Sequence, residues 1–106
     1  MGSTVDAVKA SSTLVYSVLI DNSANTGAAS YVKLYNLASG SVVVGTTVPD
    51  EVIYVPASAV LTQFFFTGSL AGKTFGTALS AACVTAGGTA GVTSPLSSVK
   101  VSINYV

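Results

Sequence analysis

The chain has 106 residues, with four Lys, three Asp, one Glu, no Arg and no His, so its formal net charge at pH 7 is zero. Charged residues make up 8% of it, against roughly 25% in an average soluble domain, while half the residues are apolar. These values exclude a phosphate-neutralising basic patch, leave nucleophilic catalysis without its usual His base, and oppose disorder, which goes with low hydrophobicity and high charge.

The length fits one domain. Met1 to Ser12 has weak patterning and is expected to be an arm, residues 1–12, ordered only against a partner. The remainder, 13–106, is expected to form a single domain. Thr13 to Ile20 alternates with period two, which predicts a strand with Leu14, Tyr16, Val18 and Ile20 on one face. Asp21 to Gly27 is a turn cluster of Asp, Asn, Ser and Gly. Ser30 to Leu37 predicts a second strand. Val32 and Leu34 face one way, and Tyr31, Lys33 and Tyr35 the other.

Ser41 to Val48 is β-branched but contains Gly45 and ends at Pro49, which predicts an irregular or bulged edge strand. Glu51 to Val55, between two prolines, predicts a short edge strand, and Val60 to Phe66 a strong one. In the latter, Phe64 and Phe66 are expected inward and Phe65 elsewhere. Thr67 to Gly76 is expected to be a loop anchored by Phe75. Thr77 to Thr85 has helix-compatible alanines, but it is short and flanked by glycines. A strand with Leu79, Ala81 and Cys83 on one face is the better fit. Ser97 to Val106 alternates most cleanly, with Val99, Val101, Ile103 and Tyr105 inward. The pattern predicts an all-β fold, an antiparallel β-sandwich (jelly-roll or immunoglobulin-like) of about six to eight strands.

No apolar run approaches the ~20 residues of a spanning helix, so no membrane partner is expected. Met1 to Ser12 lacks the basic and apolar regions of a signal peptide. Cys83 is alone, so it can form no disulfide within the chain and is expected to be a small buried hydrophobe. Synthesis in a reducing cytoplasm fits both features. Asp50 and Glu51 are adjacent and would point apart on a strand, so they form no ready carboxylate pair. Asp21, Ser23 and Asn25 alternate oxygens like a calcium loop. However, the Gly and Glu positions of an EF-hand are held by Thr26 and Val32. Catalytic, metal and cofactor sites are therefore all expected to be absent.

Two features point instead to subunit contacts. Tyr31 and Tyr35 flank Lys33 on the face opposite Val32 and Leu34. Phe65 sits in a strand that is apolar on both faces, as strands covered on both sides are. Tyr31, Lys33, Tyr35 and Phe65 are the candidate contacts, and near-zero net charge promotes the association they would serve.

The segments Asn22 to Asn36 (NSANTGAASYVKLYN), Val44 to Asp50 (VGTTVPD), Val55 to Ala57 (VPA) and Phe75 to Thr85 (FGTALSAACVT), with the closing strand Val99 to Tyr105, carry a resemblance. In this order they resemble small structural proteins of tailed bacteriophages. The resemblance covers most of the chain after Tyr16. It implies a β-sandwich virion component made in the host cytoplasm and acting by binding alone. A capsid decoration or cement protein is the leading expectation. Its partners would be the major capsid protein or tail proteins and further copies of itself, with no nucleic acid. The alternatives are a tail or fibre adhesin recognising a host glycan through Tyr31 and Tyr35, and a fimbrial-type subunit.

Overall fold

The computed structural model describes residues 1–106. It contains ten strands, one 3-10 turn at Ser39–Ser41, and no helix long and apolar enough to cross a membrane. The strands are β1 (Asp6–Lys9), β2 (Thr13–Asp21), β3 (Ser30–Tyr35), β4 (Glu51–Val55), β5 (Val60–Phe64), β6 (Phe66–Thr67), β7 (Leu70–Ala71), β8 (Lys73–Phe75), β9 (Leu79–Val84) and β10 (Lys100–Tyr105). All pairings are antiparallel. One sheet has the order β1-β9-β3-β4, and the other β10-β2-β5, with β8 continuing the β5 edge of β2. The hairpin β6–β7 leaves that edge between β5 and β8.

The expected β-sandwich is present. Its core lies between the two sheets and contains Val15, Val18, Ile20, Val32, Leu34, Ile53, Val55, Phe75, Leu79, Ala81, Cys83 and Val99. Val32 and Leu34 face inward as their alternation predicts. β2 departs from simple alternation. Asn104 and Tyr105, adjacent on β10, pair with Ser17 and Val15, so Tyr16 is an extra residue on β2. Such a bulge shifts the side-chain phase. Thr13 and Val15 therefore point inward before it, and Val18 and Ile20 after it, while Leu14 and Tyr16 are only half-buried.

Several sequence-based expectations are corrected. The arm is not loose. β1 pairs with β9, Gly2 accepts a hydrogen bond from the Cys83 N–H, and Met1 exchanges backbone bonds with Val99. Backbone pairing needs no side-chain period, which explains why the pattern missed it. Ser41 to Val48 is not a strand, because turns close on Val43, whose carbonyl accepts from both Thr46 and Thr47. Gly45 takes a φ of +95° there, and a Cβ on it would stand 2.4 Å from Val92. The stretch Thr67 to Gly76 is not an open loop, since it holds β7, β8 and most of the hairpin.

The largest departure is on the outer face of the β1-β9-β3-β4 sheet. Every residue of β9 is buried, as expected for a strand covered on both faces. The inner cover is the other sheet. The outer cover is the chain's own irregular segments, 36–48 and 85–94. Tyr35 and Ala82 pack with Val42, Leu37 and Val44 from the first of these. Lys33 is held by the second, which is closed by the Thr85 N–H donating to Thr93.

Candidate interaction surface

Tyr31, Lys33 and Tyr35 do share one face of β3, but that face is inside the molecule. Lys33 is fully buried, and its Nζ donates to the carbonyls of Thr89 (3.2 Å) and Gly91 (2.9 Å). Tyr35 is fully buried, and its hydroxyl has no partner. Tyr31 is half-buried, its ring lying 5.3 Å from that of Tyr54, tilted by 55°. Only the Tyr31–Tyr54 pair reaches the surface. Phe65 is also a core residue at 8% exposure, whereas Phe64 and Phe66 are 61% and 68% exposed. The phase is set upstream. Leu61 lies opposite Ile20 and Gln63 opposite Val18, so period two carries residue 65 inward. Of the four candidate contacts, Lys33, Tyr35 and Phe65 are thus corrected to interior positions.

Burial gives these groups shifted acidities. It pushes the Lys33 ammonium down, because the charged form is desolvated, and pushes the Tyr35 phenol and Cys83 thiol up. Hydrogen bonding from Ser23 holds the Asp21 carboxyl below its usual range. For Lys33 the folded state releases its proton before the unfolded state does. Between the lowered folded value and the ordinary value of about 10.4, folding therefore becomes more favourable as pH rises. Tyr35 and Cys83 act the opposite way at alkaline pH, but equally in a Lys33→Met variant. The stability of the wild type relative to Lys33→Met is expected to increase from neutral pH towards pH 10 in paired urea melts. A difference that is flat or falls with pH contradicts the buried ammonium.

The acidic residues do not converge. Asp50 accepts from the Asn36 N–H (2.7 Å), while Glu51 pairs with Lys73 (2.6 Å). Asp21 closes a local turn by accepting from the Ser23 N–H, and Asn25 turns inward. No group of three Asp, Glu, Cys or His side chains is placed to hold a metal ion. A cleft of about 280 Å³ lies at the end of the sandwich, between 24–30 and Pro95–Ser97. Its walls carry methyls, hydroxyls and amides but no titratable side chain, so it offers no group that moves a proton. Sequence reasoning missed this cleft because two loops far apart in the chain form it.

The surface that remains open is the outside of the β10-β2-β5 sheet. Its cross-strand rows are Lys100–Asp21–Val60, Ser102–Leu19–Thr62 and Asn104–Ser17–Phe64. The one opposite-charge pair sits at the end of this face, and the rest is neutral. Beside it projects the β6–β7 hairpin. Phe66 pairs across it with Ala71 and Leu70 with Thr67, which puts apolar side chains on both of its faces. Leu70 is 72% exposed. Gly72 anchors the base of the hairpin. Its φ is +103°, and a Cβ there would meet Leu14 at 2.7 Å. Its N–H donates to Phe65, whose own N–H donates to Tyr16. The inward Phe65 therefore pins the hairpin while Phe64 and Phe66 face out. Compared with known proteins, the chain matches no family model, no curated protein and no solved structure.

Proposed function

We propose that this chain is a structural subunit of a tailed-phage particle. It acts as a capsid decoration protein that binds neighbouring virion subunits and carries out no catalysis. The observation that carries this reading is the uncovered apolar surface formed by Phe64 and the β6–β7 hairpin beside a nearly charge-free sheet. Large exposed apolar patches mark interaction sites. The chain has covered one sheet with its own loops and left the other open. The molecule measures 35 × 28 × 18 Å, so its broad face exceeds the roughly 800 Å² per partner of a standard interface. The resemblance of the sequence to small phage structural proteins supplies the kind of assembly.

A second reading, a glycan-binding adhesin, is favoured by one observation only, the exposed Tyr54 lying tilted against Tyr31. The two readings separate experimentally. A decoration protein co-sediments with purified heads of the phage that encodes it. A chain that stays in the supernatant, yet binds a glycan array in a manner lost on Tyr54→Ala, is an adhesin.

A further inference from the structure

We propose that two copies of this chain pair through their β10 strands, joining two β10-β2-β5 sheets into one. This deepens the assembly reading by naming a partner, a second copy, and the register in which it docks. The sandwich has four sheet edges, and three are blunted. β4 lies between Pro49 and Pro56, and β1 is four residues long with a register irregularity between Ala7 and Lys9. The β5–β8 edge is interrupted by the hairpin. Prolines, shortness and irregularity are the usual means of preventing edge pairing. β10 has none of them. Its six residues contain no Pro or Gly, and the extra residue of the nearby bulge lies on β2.

The backbone groups that face outward can be identified. The Val99 N–H donates to Met1 and the Val99 carbonyl accepts from Met1, so both Val99 groups point away from β2. Antiparallel ladders alternate. The N–H and C=O of Val101 and Ile103 therefore also point outward, while Lys100, Ser102 and Asn104 pair with Asp21, Leu19 and Ser17. Met1 occupies the edge at Val99. The free edge is Val101 to Tyr105, and its midpoint is Ile103.

Antiparallel pairing of this window with itself places Ile103 opposite Ile103 of the partner subunit and Val101 opposite Tyr105 of the partner subunit. Both pairs are apolar and lie on the core side. On the outer side Ser102 meets Asn104 of the partner subunit. Lys100 falls outside the window, so no like charges are brought opposite. A two-fold contact requires this self-complementarity.

The register makes a charge test possible at exposed positions. In S102K/N104K every introduced lysine faces an introduced lysine of the other copy, and in S102K/N104E every introduced lysine faces an introduced glutamate. The wild type is expected to show a monomer–dimer equilibrium in analytical ultracentrifugation. The two opposed lysine pairs of S102K/N104K are expected to raise its Kd about tenfold, and S102K/N104E to restore or tighten it. The Val101 and Ile103 amides are expected to gain exchange protection as concentration rises. A monomeric wild type, or variants that associate alike, overturns the pairing. A monomer that still co-sediments with phage heads leaves the decoration reading standing and removes only this contact, and loss of head binding by a β10 dimer does the reverse.

Discussion

Replacing Asn22 with Ala lowers the stability of the fold by about 3 kcal/mol and the Tm by roughly 15 °C. Asn22 is fully buried at the end of β2. Its Nδ2 donates to the carbonyls of Ala28 (3.2 Å) and Pro56 (3.0 Å). Its Oδ1 accepts from Asn25 Nδ2 (3.0 Å) and the Ser30 hydroxyl (2.8 Å). Asn25 in turn donates to the Ser97 carbonyl and accepts from the Ser97 N–H, both at 2.9 Å. One side chain thus ties together the loop after β2, the β4–β5 connection and the approach to β10. Truncation removes a partner from four groups, two of which, Asn25 Nδ2 and the Ser30 hydroxyl, are buried, and a buried group costs far more unmade than it contributes made. Thermal and urea melts check the effect. A loss below about 1 kcal/mol shows that the three loops hold together without this residue.

Phe65→Ala is expected to cost about 3 kcal/mol, at the lower end for a buried aromatic. Phe64→Ala and Phe66→Ala are each expected to stay within about 0.5 kcal/mol of wild type, as exposed substitutions do. The contrast among three consecutive phenylalanines is more informative than any single value. It depends only on the strand phase set by Leu61 opposite Ile20. Equal losses at all three positions contradict the inward Phe65 and the exposed hairpin together. The same pattern bears on the proposed function, because a contiguous apolar patch that adds little to stability is the kind of surface that marks an interaction site.

The six longer strands are legible in the sequence, through alternation in most of them and, in β9, which is buried on both faces, through a short apolar run bounded by glycines. The cleanest, Ser97 to Val106, forms β10, with Val99, Val101 and Ile103 packed inward and Tyr105 at its more exposed end. What escapes is whatever alternation does not encode. β1 is held by backbone bonds to β9, which leave no side-chain signature. The Tyr16 bulge reverses the phase of half a strand, and nothing local announces it. The candidate contacts failed for a tertiary reason. Alternation correctly placed Tyr31, Lys33 and Tyr35 on one face, but not what lies over it. That cover comes from Gly-, Ser- and Thr-rich segments, without a period, that supply carbonyls to Lys33 and methyls to Tyr35. Leu61, Gln63 and Phe65 share the core side by register, but the polar and exposed Gln63 interrupts that series and so pointed to the wrong member of the Phe triplet.

The low charge content acquires a location from this arrangement. Lys33 is buried, Lys73 is paired with Glu51, and Asp21 and Lys100 neighbour each other at one end of the open sheet. The rest of that sheet's outer face and the hairpin beside it carry no charge to desolvate on docking. That removes the principal electrostatic cost of burying a surface. The β10 edge and the hairpin lie on opposite edges of the same sheet, so pairing through one leaves the other free for a different partner.

Whether the exposed hairpin is the binding surface is decided by co-sedimentation with purified phage heads. Wild type is compared with the variant F64S/F66S/L70S. All three positions are exposed, so the variant is expected to keep the wild-type melting curve. Binding through the hairpin requires that wild type pellets with the heads in saturable fashion and that the variant, equally folded, stays in solution. Undiminished binding of the folded variant contradicts it.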